Sequence, residues 1–176
     1  MSESSKKHKA SAPKQLKFAV FMCSTSRYQQ LQKGEKITDV SGDTIKALLK
    51  NANHVVLYKK IIADDKNMIA EAVKNILSST ELDAAIFCGG TGIAPKDVTI
   101  ETVQPFLEKV LPGFGEIFRR LSYDKVGSAA VMSRAVAGVA KGKALFCIPG
   151  SPDAVRVSVE MLILPETPHI VRHTRE

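Results

Sequence analysis

Short apolar runs recur along the first half of this chain, separated by longer stretches of mixed character. The runs Lys17 to Cys23, His54 to Ile61 and Ala84 to Cys88 are rich in apolar and β-branched residues. Runs of this length and composition are typical of strands buried within a sheet. The pattern therefore predicts three strands in this half of the chain.

Two of the intervening stretches carry apolar residues at helical spacing. One runs from Ser41, its predicted N-terminal cap, to about Asn53. The other follows Asp64 and Asp65 and ends near Ser78. Each has an apolar stripe, as a helix packed against a sheet requires. Residues 24–40 are polar, and we predict a loop there.

Proline and glycine interrupt the second half of the chain. We predict a helix over residues 99–109 that Pro105 interrupts, a break at Pro112-Gly113, and a helix over residues 114–121. Residues 135–140 and 144–148 are apolar runs joined by a short turn, which predicts a hairpin.

The last predicted element is a helix that begins at Pro152 and ends near Leu164. Proline is well suited to the first turn of a helix. Pro165 and Pro168 then follow, and we expect them to stop it.

Strands that alternate with amphipathic helices indicate an α/β fold, with a mainly parallel sheet covered on both faces. The length of 176 residues suits one domain, which we place at residues 16–176. Residues 1–15 are polar and basic, which predicts a disordered tail and not a secretory signal. No apolar run is long enough to cross a bilayer, so we expect no membrane partner.

The chain has a net charge of +7 and would attract polyanions. Four of its lysines lie in the tail, however, and the chain has no tryptophan and only three tyrosines to stack on bases. We therefore expect no nucleic acid partner. A phosphorylated small molecule explains the charge at least as well.

The three cysteines, Cys23, Cys88 and Cys147, each end an apolar run. Parallel strands would place all three along one edge of the sheet, either as a metal or redox cluster or as small core residues. We favour core residues, because free cysteine is usually buried. The odd number of cysteines and the lack of a signal sequence indicate a reducing cytoplasm.

The most informative segment is the third strand and the glycine-rich turn that follows it. Gly89, Gly90 and Gly92 allow a tight turn and let a ligand approach the bare amides closely. Such a turn after a strand is suited to phosphate. Lys96 adds positive charge, and Asp97 can hold a magnesium ion. The segment predicts an anion site with a metal ligand beside it.

Familiar phosphate-binding motifs do not describe this segment. A P-loop requires Ser or Thr after Gly-Lys, whereas Ala144 follows Gly142-Lys143. The dinucleotide fingerprint is Gly-x-Gly-x-x-Gly. Here Gly90-Thr91-Gly92 is followed by Ile93-Ala94-Pro95, so proline stands where the third glycine is required.

Ligands of parallel sheets bind beyond the carboxyl ends of the strands. The loop after the first strand, Asp64, residues 89–97 and residues 149–153 should therefore meet. The glycine turns within residues 89–97 and 149–153, together with the acids Asp64 and Asp97, suit a nucleoside triphosphate with its metal, or two phosphorylated ligands. Alternatives stay open: the glycines could form only a tight turn, and Asp64 and residues 149–151 could only cap helices.

Six segments together carry a family resemblance. They are residues 39–43, Asp64, residues 89–99, residues 112–116, residues 133–138 and residues 149–152. In this order, over about residues 17–170, the chain resembles the MoaB/MogA family of molybdenum cofactor biosynthesis proteins. The run Ser133 to Gly138 is closer to the MoaB branch.

The resemblance implies a three-layer α/β/α fold of the molybdopterin-binding type, assembled as a homotrimer or homohexamer. It implies adenylylation of molybdopterin with ATP and Mg²⁺, releasing pyrophosphate, in the cytoplasm, and a downstream molybdenum-insertion protein as a further partner. Asp64 and Asp97 would be the catalytic and metal-binding acids. The implied binding residues are Ser24, Ser41, Gly42, Gly89, Gly90, Thr91, Gly92, Lys96, Glu116, Ser133, Pro149, Gly150 and Ser151.

Three functional hypotheses remain at this point: an adenylyltransferase, a non-catalytic molybdopterin binder or carrier, and a scaffold that only contacts partners. The acids Asp64 and Asp97 are both present, which favours the adenylyltransferase over the non-catalytic binder. The scaffold hypothesis predicts that the protein does not bind a phosphorylated pterin.

Overall fold

The computed structural model describes residues 13–176, so residues 1–12 of the predicted tail lie outside its scope. The strands are β1 (Lys17–Cys23), β2 (Val55–Ile62), β3 (Ala84–Cys88), β4 (Lys109–Val110), β5 (Val136–Ala140) and β6 (Lys143–Ile148). The α-helices are α1 (Thr25–Gln32), α2 (Val40–Asn51), α3 (Lys66–Ser78), α4 (Thr99–Val103), α5 (Pro112–Val126), α6 (Pro152–Ser158) and α7 (Leu164–His173). A π-helical turn, Val159–Ile163, joins α6 to α7.

The strands form one sheet in the order β2-β1-β3-β6-β5-β4. Strands β2, β1, β3 and β6 run parallel to one another. Strand β5 is antiparallel to both β6 and β4. The predicted mainly parallel sheet and its hairpin are thus confirmed, and the carboxyl ends of four strands lie at one edge.

Helices cover both faces of the sheet because alternate strand residues point to opposite sides. On one face Phe18 and Val20 pack with apolar residues of α2, α6 and α7. On the other, Ala19 and Phe21 pack with apolar residues of α3 and α4. The result is the expected three-layer α/β/α architecture.

The polar stretch 24–40 is not entirely a loop, as α1 occupies residues 25–32. This helix buries none of its residues, so no apolar stripe marks it in the sequence. Ser24 caps it by accepting a hydrogen bond from the Arg27 N–H. The predicted cap of α2 is also wrong: Asp39, two residues before Ser41, accepts from the Gly42 N–H and caps that helix.

One further error is β4, a two-residue edge strand that pairs with β5 and begins at Lys109, where a helix was predicted. Prolines account for the remaining errors. Pro112 begins α5, where its missing N–H needs no partner, so the predicted break is a helix start. Helix α4 ends at Val103 and a 3₁₀ turn containing Pro105 follows it, so the predicted helix 99–109 is too long.

The C-terminal prolines do not stop the last helix. The π-helical turn places Pro165 in the first turn of α7, and Pro168 lies inside that helix. The helical segment therefore continues to His173.

The three cysteines are free and buried. Cys23 and Cys147 belong to one apolar core and Cys88 to the other, so the three thiols face different sides of the sheet. Among the described residues no group of three or more metal-ligating side chains has the geometry of a metal site. No helix in residues 13–176 is long and apolar enough to span a membrane.

Candidate functional site

Hydrogen bonds join the loops that follow β1, β2, β3 and β6 at one edge of the sheet. The Thr25 N–H and hydroxyl, after β1, both donate to Asp64 Oδ2, after β2. The Gly89 N–H, after β3, donates to the Ile148 carbonyl of β6 at 2.9 Å. These bonds join the loops in two pairs, and the close approach of Gly89 to the Cys23 carbonyl brings the pairs together.

A cavity of about 370 Å³ opens between the loops that follow β3 and β6 and residues 132–134, whereas Asp64 and the loop after β1 lie outside its lining. It is lined by Gly89, Gly90, Thr91, Gly92, Asp97, Met132, Ser133, Arg134, Pro149 and Gly150. Most of these residues were expected in the site from the sequence. A somewhat larger cavity, of about 480 Å³, lies at the opposite edge beside Lys46, Lys50 and His54. Its lining has no carboxylate and no glycine turn, so its chemistry does not match the predicted site.

The glycine turn depends on the lack of a side chain at its first two positions. Gly89 and Gly90 have φ values of 105° and 61°, which side chains disfavour. A Cβ atom on Gly89 would lie 2.3 Å from the Cys23 carbonyl oxygen. On Gly90 it would lie 2.5 Å from Asp64 Oδ1 and 2.4 Å from the Thr99 hydroxyl. Gly90 therefore lets the turn lie directly against Asp64.

Asp64 is held firmly but keeps one oxygen unused. Its Oδ2 accepts from the Thr25 N–H at 2.9 Å and from the Thr25 hydroxyl at 3.1 Å. Its Oδ1 is buried and has no hydrogen-bond partner. Asp65, and not Asp64, caps α3, since it accepts from the Met68 N–H. This settles the open alternative for Asp64 against a helix cap, and an unpaired carboxylate oxygen is the ligand type that Mg²⁺ prefers.

Asp97 lies in the cavity wall on the far side of the turn. Its Oδ2 accepts from the Ala94 N–H at 2.9 Å, and its own N–H donates to the Ala94 carbonyl. Both bonds close residues 94–97 into a compact loop. A Cβ atom on Gly92 would lie 2.6 Å from Asp97 Oδ2, so this carboxylate also packs on the glycine turn.

Arg134 is the main site residue that was not predicted. Its Nε donates to the Thr91 carbonyl at 2.9 Å and its Nη2 to the Gly92 carbonyl at 2.7 Å. Its Nη1 pairs with Glu101 of α4. The hydrogen bond from Arg134 lowers the pKa of Glu101, against a smaller opposing effect of burial. The only sequence signal was its place in the run 133–138, because its partners lie about 40 residues earlier.

The wall beside Gly150 is built from the start of α2. The Ser41 hydroxyl donates to the Gly150 carbonyl at 2.8 Å. Gly42 is buried against Asp39, which pairs with Lys59 at 2.8 Å and with Arg27 at 3.5 Å. Ser41 and Gly42 thus position the cavity wall and are not among the residues that line it.

Besides Asp64, four other predicted residues lie outside the lining of this cavity. Ser24 caps α1, and the side chains of Lys96 and Glu116 are on exposed positions. Ser151 caps α6 by accepting from the Ala154 N–H, as the alternative for this turn proposed. Ser151 also lines an adjoining cavity of about 190 Å³ that shares Ser133 with the first.

Comparison with known proteins places the fold and the site in a family context. Residues 19–169 match the family model described as "Probable molybdopterin binding domain". A relative from Methanocaldococcus jannaschii, named "Probable molybdopterin adenylyltransferase", is 45% identical over 163 residues, covering 93% of this chain and 96% of the relative. "Molybdenum cofactor biosynthesis protein B" of Bacillus subtilis is 42% identical, covering 96% of each chain.

A solved structure supports the same placement. The tungsten cofactor synthesizing protein MoaB from Pyrococcus furiosus superposes with a TM-score of 0.81 at 38% identity. The match covers 94% of this chain and 100% of that one.

Proposed function

Since this chain belongs to the molybdopterin-binding domain family, we propose that it transfers AMP from ATP to molybdopterin, with release of pyrophosphate, in molybdenum cofactor biosynthesis. The observation that carries the proposal is the glycine turn between two acids, one of which keeps a buried oxygen free of hydrogen bonds. The name of the 45% identical relative, a probable molybdopterin adenylyltransferase, supports the same activity.

The glycine turn is the proposed phosphate-binding element. Gly89, Gly90 and Gly92 line the cavity without side chains, so a ligand can approach their backbone closely. Arg134 uses its guanidinium to hold two carbonyls of the turn. The two carbonyl oxygens therefore point at the positively charged guanidinium group. Lys96, on the same loop, is exposed and supplies further positive charge.

The chemistry needs no protein nucleophile. An oxygen of the molybdopterin phosphate attacks the α-phosphorus of ATP, and the bond from that phosphorus to the β-phosphate oxygen breaks. Pyrophosphate carries away the electron pair, and adenylyl-molybdopterin remains. The protein's part is to align two anions and to offset their charge.

Asp64 and Asp97 are the residues we propose to hold Mg²⁺ beside the triphosphate. The free Oδ1 of Asp64 suits a hard cation, and one or two carboxylates are enough where substrate phosphates and water complete the coordination. When bound, Mg²⁺ neutralises charge that builds up on the phosphates in the transition state. Asp97 lines the cavity from the other side of the turn.

Self-association, as a homotrimer or homohexamer, is part of the same proposal. Val126, Val131 and Met132 are all more than half exposed, Val131 at 81%. Met132 lines the cavity, so this apolar surface adjoins the site. Exposed apolar surface of this kind is typical of contact surfaces between proteins.

The test is a pyrophosphate-release assay with molybdopterin, ATP and Mg²⁺. Asp64→Asn and Asp97→Asn keep the size of each side chain and remove its charge. We expect each to lower turnover about 100-fold or more, as loss of an electrostatic contact to the transition state does. Binding of molybdopterin, followed by pterin fluorescence, should stay largely intact.

Asp65→Asn is the matched control, because Asp65 is adjacent, exposed and able to cap α3 as asparagine. It should keep wild-type turnover. Full turnover by Asp64→Asn or Asp97→Asn would contradict the metal role of that residue. Molybdopterin binding without any pyrophosphate from the wild type would instead establish the non-catalytic binder.

A further inference from the structure

Two buried oxygens without hydrogen-bond partners lie beside Gly90. They are Asp64 Oδ1 and the hydroxyl oxygen of Thr99. Both would be within 2.5 Å of a Cβ atom placed on Gly90, so they face the same small space. The Thr99 N–H donates to the Gly90 carbonyl at 3.0 Å, which fixes Thr99 against the turn.

Thr99 contrasts with Thr102, the other buried threonine of α4. Thr102 donates its hydroxyl to the Val98 carbonyl at 2.7 Å, as buried threonines in helices commonly do. Thr99 is 0% exposed, yet its hydroxyl has no such bond. Burying an unpaired hydroxyl destabilises a protein, and buried polar atoms normally have hydrogen-bond partners. An unpaired hydroxyl oxygen beside a free carboxylate oxygen therefore points to a ligand that binds both.

The thiol of Cys23 does not supply that partner. Burial raises the pKa of Cys23 to about 12, and the neighbouring Thr99 hydroxyl opposes the shift. The Thr99 hydroxyl interacts with this thiol only weakly, and its oxygen has no partner at ordinary hydrogen-bond distance and angle. A neutral thiol is in any case a weak donor and a weak acceptor.

We propose that the Thr99 hydroxyl binds, together with Asp64 Oδ1, the divalent cation that accompanies ATP. Hydroxyl and carboxylate oxygens are the ligands that Mg²⁺ accepts, and Ser or Thr hydroxyls serve this purpose in other nucleotide sites. Gly90 is then required because a Cβ atom would fill the space between the two oxygens. This inference rests on the proposed function and extends its cation site by one residue.

The experiment measures Mn²⁺ binding by electron paramagnetic resonance, with the α,β-methylene analogue of ATP that cannot release pyrophosphate. Thr99→Val keeps the shape of the side chain and removes the oxygen. We expect it to weaken Mn²⁺ binding at least tenfold. We also expect it to raise the thermal unfolding midpoint of the ligand-free protein, because an unpaired buried hydroxyl is gone.

Thr102→Val is the matched control on the same helix. It removes a hydroxyl that is already paired, so it should lower the unfolding midpoint and leave Mn²⁺ binding within twofold of wild type. The opposite signs of the two stability changes separate an oxygen kept for a ligand from one that serves the fold.

Thr99→Ser and Thr99→Ala form a second pair that differs only in the hydroxyl. Serine should bind Mn²⁺ nearly as well as wild type and alanine as poorly as valine. Equal binding by the two would overturn the inference, as would Thr99→Val with wild-type affinity or an unchanged unfolding midpoint. If Asp64→Asn still loses Mn²⁺ in that case, the proposed function stands and only the role of Thr99 fails.

Discussion

At the scale of single residues, the glycine turn owes its shape to Arg134 as well as to its own glycines. The guanidinium group bridges the carbonyls of Thr91 and Gly92 and pairs with Glu101. A planar fork of donors can hold two carbonyls at once, whereas an ammonium group acts as a point charge. The turn is therefore held in place by a residue of the cavity wall before any ligand arrives.

Replacing Arg134 with lysine tests this role, because the charge stays and the fork is lost. We expect Arg134→Lys to lower kcat/KM for AMP transfer at least about tenfold, since the turn would no longer be held in the geometry that aligns the reactants. We also expect the free energy of unfolding, measured in urea, to fall by about 1.5–3 kcal/mol, as for the loss of a charged hydrogen bond.

Arg120→Lys is the control, since Arg120 is an exposed arginine of α5 that pairs with Asp124. Exposed pairs contribute little, so its free energy of unfolding should change by less than about 1 kcal/mol. Turnover by Arg134→Lys within twofold of wild type would show that the turn holds its shape unaided.

Residue type and order predicted the glycine turn and its acids, but not how each residue is used. Asp64 and Asp65 are adjacent acids before a helix, and the sequence left open whether Asp64 caps that helix or holds a metal. The structure assigns the cap to Asp65, because Asp64 is turned toward Thr25 and Gly90. Arg134 and Thr99 were missed because their partners are carbonyls or oxygens far away in sequence.

At the scale of elements, five of the six strands were predicted closely, whereas the edge strand β4 and several helices were not. A buried strand is marked by its own apolar residues, so β1 and β3 begin and end where expected. Helix α1 buries no residue and shows no apolar stripe. Pro112 and Pro165 occupy first helical turns, a position that a sequence does not distinguish from a break.

The start of α2 carries an element-scale prediction. Asp39 is 5% exposed and pairs with Lys59 and Arg27, so its charge is compensated inside the fold. Asp39→Asn keeps the oxygen that caps Gly42 and removes the charge that the two cations face. Breaking a buried pair from one side is costly, and we expect a loss of about 3 kcal/mol in urea unfolding.

Asp43→Asn is the matched control, because Asp43 also pairs with Lys59 but its side chain is 70% exposed. Its loss should stay below about 1 kcal/mol. Equal losses in the two variants would mean that the burial of Asp39 contributes nothing to the stability of this pair.

At the scale of the whole molecule, the two edges of the sheet have separate tasks. The carboxyl ends of the parallel strands carry the cavity, with Asp97 in its wall and Asp64 beside Gly90. At the amino ends, His54 Nδ1 accepts a hydrogen bond from the Leu16 N–H, where the chain enters β1. At the carboxyl ends of the strands, Asp64 Oδ1 and the Thr99 hydroxyl remain unpaired. At the amino ends, the Leu16–His54 hydrogen bond holds the start of β1 in place.

The buried imidazole of His54 makes the stability of the whole fold depend on pH. Burial lowers the pKa of His54 below its ordinary value of 6.5, against an opposing attraction from Asp83. The Nδ1 atom that accepts from Leu16 must also lack a proton for that bond to form. Near and below about pH 6.5 the unfolded chain therefore binds this proton more readily than the folded chain does, so the free energy of unfolding falls as pH falls.

His54→Gln removes this titration and retains an oxygen that can accept from Leu16. We expect the free energies of unfolding of the two proteins, measured in urea, to run parallel between pH 7.5 and 8.5. Below about pH 6.5 the wild type should lose stability relative to the variant, since only its unfolded state gains a proton at this position. Parallel curves down to pH 5.5 would mean that the imidazole accepts its proton in the folded state as readily as in the unfolded chain.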